Sequence, residues 1–429
     1  MNFFAKAPGS RPRVACEIAP QGVVAARAED AATGVLTAIG QGTLQGGAVI
    51  PGLRPGNLVD RVAVIAALRK ALEQIGLRPN SRGADISLII PDGACRVLLL
   101  DFESLPGKAA EAVPLIRFRL KKLVPFDSDS AALSYQIMSQ SRQMVRVLAV
   151  TIPRDVLDEY ETAVREAGYE PGAVLPSTLS ALAATDASTI SLVVNISPLS
   201  ITTAIAREGI LMLHRTVDLQ AEPSGLSVVE QMEAEAAAAA ADTHDLAMLP
   251  LVSVEETEAE WAAQEPLPEH GRNPYAQPAE PAPVSNSPYV QPEVLSEWSS
   301  ELHNAILNAP TSIAVREGVE LAPTAAELTH HIHAGEPLPS AEYALEVAQA
   351  VNVAAAYFED TLAEAPSTVL CAGSLSANQL QRVLEAEGVA ETNGLRVRDL
   401  IDAEHVAVES TSSRMSRSLL AAVAGAVRA

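Results

Sequence analysis

Two five-residue blocks, about 180 residues apart, each carry an apolar strand into a polar residue and a proline turn: Cys16-Glu17-Ile18-Ala19-Pro20 and Val194-Asn195-Ile196-Ser197-Pro198. A β-branched stretch follows each, over 23–27 in one and 201–206 in the other. The second block then turns at Arg207-Glu208-Gly209 into 211–215. Paired turns of this kind, facing one another across a cleft, would aim backbone N–H groups at a phosphate, and a carboxylate at the turn would organise Mg²⁺ and water. Glu17 can serve a metal through water, and Ser200 and Thr202 are candidate phosphate ligands. Pro20 and Pro198 weaken both turns for this task, because proline has no N–H to give.

Other chemistry finds less support. His330, His331 and His333 supply three imidazoles with no cysteine or acidic cluster beside them, and a solvated helix end explains them better than a metal site. Neither a GxSxG elbow nor a GxxxxGK[ST] loop occurs. The cysteines, Cys16, Cys95 and Cys371, are odd in number and far apart, with no CxxC spacing, which suits a reducing compartment.

The elements that must position the two blocks follow from hydrophobic period and turn residues. Strands are expected at 13–18, 23–27 and 34–40, then a helix from Leu58 with Val62, Ile65, Leu68, Leu72 and Ile75 on one face, capped by Asn57 and stopped by Gly76. A strand at 85–90, one at 95–105, a helix at 114–123 begun by Pro114, strands at 133–138 and 145–151, and an amphipathic helix ending at Gly168 complete a first α/β region. After the second block come a long helix from Ser340 to about Leu362, a strand at 367–371 and a helix at 377–387. One strand-turn-strand-turn-strand unit used twice predicts a duplicated fold.

With 429 residues the chain can hold at least two cores, and with 48% apolar but only 3% aromatic residues these cores must be built from Ala, Val, Leu and Ile. The formal net charge of −23 repels phosphate backbones and anionic lipid surfaces, so direct nucleic-acid binding is not expected and any membrane contact is expected to go through a partner. The stretch 220–293, with its alanine tract, glutamates and prolines, reads as an acidic disordered insertion. The domains expected are a first lobe at 1–187 with a small subdomain inserted at about 85–152, the start of a second lobe at 188–219, the insertion, and the rest of the second lobe at 294–429. The basic start has no apolar h-region, and no run of about 18 apolar residues offers a membrane span.

Lys121-Lys122-Leu123-Val124-Pro125-Phe126-Asp127, followed by Leu133-Ser134-Tyr135-Gln136, resembles the PilM family of type IV pilus assembly proteins. Leu175-Pro176-Ser177 and Ala356-Tyr357-Phe358-Glu359 match the family in order, over most of 13–215 and again over 340–428. FtsA and the cytoplasmic part of GspL are more distant likenesses. The resemblance implies an actin-like, ribonuclease H-like duplicated fold with an inserted SHS2-like subdomain and ATP with Mg²⁺ between the lobes. It also implies a cytoplasmic place beside the inner membrane, reached through a bitopic PilN-like partner whose cytoplasmic tail docks on the first lobe. Self-association is a further candidate contact. The C-terminal run 416–429 could touch a membrane as an amphipathic helix, but family position makes it the closing helix of the second lobe, packed on that lobe's sheet.

The chemistry the family uses is eroded here. Its Asp-Ile-Gly turn is Glu17-Ile18-Ala19 in the first lobe and Asn195-Ile196-Ser197 in the second, and its adenine-side Gly-Gly is Ala372-Gly373. Val24 stands where the family has a basic residue, and Ala350, Asn352 and Val353 where it has a Glu and Arg pair. Two functions remain open on the sequence. One is a scaffold with a degenerate nucleotide cleft, and the other is a divergent ATPase whose nucleotide state controls docking.

Overall fold

The computed structural model describes residues 12–30, 33–80, 85–186, 188–223, 338–390, 394–407 and 415–428. By contact the chain divides into Met1–Met232 with Glu336–Ala429, and Glu233–Gly335. The latter lies outside the described residues, as do nearly all of the acidic insertion and the three clustered histidines.

Strands β1 (Val14–Ala19), β2 (Gly22–Ala28) and β3 (Leu36–Gly42) form the expected meander, and β4 (Asp85–Ile90) and β8 (Glu170–Pro176) extend it to a five-stranded sheet of order β3-β2-β1-β4-β8. Burial on both faces explains the near-continuous Val, Ile and Ala of β1 and β2. Helix α1 (Arg61–Gln74) is capped by Asp60, whose carboxylate accepts from Ala63 N, and it buries Val64, Ala67, Leu68, Ala71 and Leu72. The expected cap, Asn57, is used elsewhere: its Oδ1 accepts from Gly52 N, and the backbone N–H groups of Gly56, Asn57 and Leu58 donate to Glu159. Glu159 lies on α3 (Arg154–Ala167), so a distant carboxylate takes the donors and α1 starts one turn later, leaving Val62 exposed.

Between β4 and α3 the chain makes a separate three-stranded sheet, β5 (Arg96–Phe102), β7 (Val145–Ile152) and β6 (Ala132–Gln140), with β7 in the middle and helix α2 (Ala109–Leu120) beside it. This insert begins after Ile90 and not at 85, because β4 is a full member of the lobe's sheet, parallel to β1 and β8. Pro114 sits inside α2 and not at its start. The carbonyl that Pro114 leaves unbonded is that of Ala110, which is exposed and can be hydrated.

The second sheet contains β9 (Ser191–Ser197), β10 (Ser200–Arg207), β11 (Ile210–Asp218), β12 (Thr368–Gly373) and β13 (Arg396–Asp399) in the order β11-β10-β9-β12-β13. Strand for strand this repeats the first sheet, with β9 antiparallel to β10 and parallel to β12 as β1 is to β2 and β4. Helices α5 (Ala341–Leu362), capped by Ser340, and α6 (Ala377–Ala386), with a Ser376/Gln379 capping box, cover it.

Each sheet is followed by a short helix, α4 (Ser177–Leu182) after β8 and α7 (Ala421–Val427) near the C-terminal end, and every residue of both is buried. They cross in close contact. A Cβ on Gly425 would lie 1.7 Å from the Ser180 carbonyl oxygen, so only glycine permits the approach. The Ser180 hydroxyl donates to the Ala422 carbonyl at 2.7 Å and the Arg428 guanidinium to that of Ala184 at 2.5 Å. Against the sequence expectation, α7 does not simply close the second lobe. It touches β1, β2 and β4 of the first sheet as well as β12, and α4 reaches β9 and β10 of the second.

Candidate functional site

The two hairpin turns meet where α4 begins. Both are two-residue turns with proline first: Ala19 pairs with Gly22 around Pro20-Gln21, and Ser197 with Ser200 around Pro198-Leu199. Pro fixes φ for such a turn but withholds the N–H that an anion would need. Glu17 of β1 and Asn195 of β9 lie at equivalent places, opposite Val24 and Thr202 of the neighbouring strands.

Both side chains are engaged by the start of α4. The Asn195 amide donates to Ser177 Oγ at 3.0 Å and to Thr178 Oγ1 at 2.9 Å. The Ser177 hydroxyl in turn donates to Glu17 Oε1 at 2.6 Å, and the Thr178 hydroxyl donates to Asp92 Oδ2 at 2.5 Å. Thr178 N also donates to the Asp92 carboxylate, at 3.2 Å to each oxygen. The pattern is one amide, two hydroxyl relays and two carboxylates, with every proton directed outward from Asn195. An aspartate at 195 could not start this chain, since an ionised carboxylate only accepts.

Burial sets the electrostatics. Glu17 is 7% exposed, and loss of water pushes its carboxyl up from the ordinary 4.5 to about 7; the Ser177 hydrogen bond opposes the rise and the nearby Asp92 adds to it. His214 of β11 has its Nε2 3.8 Å from Asp92 Oδ1, and burial holds its pKa below the usual imidazole value despite that carboxylate. The buried network thus joins β1, the turn after β4, α4 and β9, and His214 of β11 lies beside it with its Nε2 without a hydrogen-bond partner.

The remaining candidate residues are placed as follows. Ala19, Ser197 and Ser200 line the cleft with Thr202, but the Thr202 hydroxyl is shared with Thr216 at 3.0 Å. The Ser197 carbonyl accepts from the Tyr343 hydroxyl at 2.9 Å. Ala372 and Gly373 do not belong to the cleft wall: they are the end of β12, in register with Asn195 and Ile196. Gly373 adopts φ +92°, and a Cβ there would lie 1.9 Å from the Ile196 carbonyl oxygen. Close approach to its own sheet therefore explains this glycine without a nucleotide. Asp92, Thr178 and His214 were not visible as site residues, and Ser177 stood out only as a helix start. Their contacts with the cleft span 86 residues for Thr178 to Asp92 and 160 for Ser177 to Glu17.

The cavity bounded by Glu17, Pro20, Gln21, Asp92, Asn195 and Thr202 has a volume of ≈ 20 Å³. That is room for about one water. A nucleotide with Mg²⁺ is a poor fit to these residues: proline stands in both turns, the second carboxylate is an amide, and Glu17, Asn195 and Thr202 are hydrogen-bonded to neighbouring side chains, while Gln21 Oε1 and Ser197 Oγ are buried without a partner. Among the described residues no group of three or more His, Cys, Asp or Glu could hold a metal ion.

No protein-family model matches the chain, and neither does any curated protein. Solved structures do. The PilM–PilN type IV pilus biogenesis complex is similar at 13% identity over 97% of this chain and 97% of that one, with a TM-score of 0.57. The ethanolamine utilization protein EutJ from Carboxydothermus hydrogenoformans aligns at 11% identity over 99% and 91%, with a TM-score of 0.39. The cytoplasmic domain of EpsL, an inner membrane component of the type II secretion system of Vibrio cholerae, aligns at 14% identity over 48% and 70%, with a TM-score of 0.31. With two sheets of one strand order about a shared cleft, and this full-length likeness, the chain has an actin-like two-lobe fold.

Proposed function

We propose that this chain is a structural and interaction protein: a cytoplasmic scaffold of the inner-membrane platform of a type IV pilus or a related secretion machine. Its cleft is a latch made of its own side chains, and it acts as a pseudo-ATPase. The observation that carries this reading is the Asn195-centred network, which occupies both turn residues of the cleft. The platform assignment is supported by the resemblance at 121–136 and by a structural neighbour that is itself a PilM–PilN complex. In this reading the partner is the cytoplasmic tail of a PilN-like bitopic membrane protein, self-association is a further contact to be measured, and the membrane is reached through the partner. Among the described residues no helix is long and apolar enough to cross a membrane.

The test is a thermal-shift and calorimetric titration with ATP and Mg²⁺ up to millimolar concentration, on the wild type and on Glu17→Ala. A ligand that binds only the folded state must raise its apparent stability by mass action. The expected result is no shift in either protein, with saturable binding of the partner's tail peptide by the wild type. A wild-type shift that disappears in Glu17→Ala would replace the scaffold with a nucleotide switch, the divergent ATPase of the competing reading.

A further inference from the structure

Helix α2 of the inserted subdomain buries Ala112, Ile116 and Leu120 against its sheet and turns an unusual face outward. On that face Leu115 is 44% exposed, Phe118 67%, and Leu123, just past the helix end, 51%. Positions 115, 118, 119 and 122 share one side of a helix by their spacing, so Arg119 and Lys122 flank the apolar residues. From Lys108 to Leu123 there are five basic residues and one acidic, Glu111. Lys121 is paired with Asp129 at 2.5 Å, and Arg117 turns inward to the carbonyls of Ser128 and Ala131. Arg119 and Lys122 are the exposed cations beside Phe118.

The chain's overall charge hides this local sign. Residues 224–337 hold 19 of the 53 acidic residues and two of the 30 basic ones, so most of the −23 lies in that stretch. The rest carries 34 acidic and 28 basic residues and is close to balanced. At physiological ionic strength charges act over about 8 Å, so the near charges decide at this face: Arg119 and Lys122 beside Phe118, with Asp101 close to Arg119 and Asp127 and Asp129 close to Lys121.

We infer that the outward face of α2 rests on an anionic lipid surface, with Phe118, Leu115 and Leu123 entering the headgroup boundary and Arg119 and Lys122 meeting lipid phosphates. A convex helix face with a protruding Phe and flanking long cations suits a bilayer interface. An acidic protein segment could meet the two cations, but it would leave the protruding Phe118 and Leu115 without an apolar partner, which a bilayer interface supplies. This contact would be direct and additional to any tethering partner. It stands or falls separately from the cleft reading.

The experiment is co-sedimentation of the full chain, without any partner, with vesicles of phosphatidylethanolamine and phosphatidylglycerol and with vesicles of phosphatidylcholine alone. Phe118→Ser and the pair Arg119→Gln/Lys122→Gln are run beside the wild type. All three positions are exposed, and unchanged melting curves verify the fold of each variant. Binding to the anionic vesicles should fall about tenfold in Phe118→Ser, in line with loss of one buried aromatic. It should fall about fivefold for each removed charge, the equivalent of about 1 kcal/mol per basic residue near such a surface. Added salt should weaken the wild type more than the doubly neutralised variant. Equal sedimentation of wild type and variants, or none with anionic vesicles, overturns the inference. Retention on immobilised polyglutamate that depends on α2, without vesicle binding, assigns the face to an acidic protein partner instead.

Discussion

The two lobes share a strand order, a proline at the first position of each hairpin turn and a closing helix, yet the residue at the heart of each turn differs: a carboxylate at 17 and an amide at 195. The shared backbone is fixed by sheet pairing and turn geometry, which do not depend on the turn side chains. Those side chains differ in a complementary way. Glu17 and Asp92 are acceptors, Asn195 supplies the donors, and Ser177 and Thr178 at the start of α4 pass hydrogen bonds between them. Two carboxylates facing one another need a cation or a shared proton between them. A carboxylate facing an amide needs none.

The comparison can be broken hardest at the crossing of the closing helices. Gly425→Ala places a methyl 1.7 Å from a backbone oxygen. It should cost more than about 3 kcal/mol by forcing the helices apart, read as a lost or strongly lowered urea midpoint. Gly46→Ala, at a glycine in open space without a left-handed backbone, serves as a control for glycine loss.

Restoring symmetry at the turns is the next largest effect. Asn195→Asp removes both donors and buries a third carboxylate among two, at a cost of about 3 kcal/mol near neutral pH. The deficit should shrink on acidification, as protonation removes the repulsion. Equal stability of variant and wild type across pH would show that the amide is not the centre of the network.

Making both turns neutral sharpens the pH behaviour. The Glu17 carboxyl is raised in the fold from 4.5 to about 7. Between these values the folded state holds a proton that the unfolded chain has released. Its contribution is therefore fully present below about pH 4.5 and lost as pH rises through about 7, with a ceiling of about 3 kcal/mol. Glu17→Gln cannot ionise and should lose that slope, gaining on the wild type in urea midpoint from about pH 5 to about pH 8. Parallel curves would mean that Glu17 is not held protonated. The smallest effect belongs to Thr202→Val, which removes one hydroxyl pair with Thr216 and should cost about 1 kcal/mol.

Much of the fold was legible because it is written locally. The repeated block 16–20 and 194–198 places both hairpins, Ser340 and Gly168 mark helix ends that the structure uses, and β4 spans the expected 85–90. Errors came where a distant group overrode a local signal. Asn57 is a good cap by type, but Glu159 holds the backbone around it and Asp60 caps α1. The site was half legible for the same reason. Glu17 and Asn195 stood out by position, whereas Asp92 in a Pro-Asp-Gly turn and Thr178 in a Ser-Thr pair gain their roles only when α4 is laid between the sheets.

The crossing of α4 and α7 also bears on how the chain acquires its shape during synthesis. The cover over β1, β2 and β4 includes residues 421–427, which the ribosome makes after everything between the lobes, the acidic stretch included. The first lobe cannot finish as an independent unit while the second is being translated. Such long-range closure slows folding and leaves one apolar sheet face waiting, a period when a chaperone would find this protein most in need of shelter.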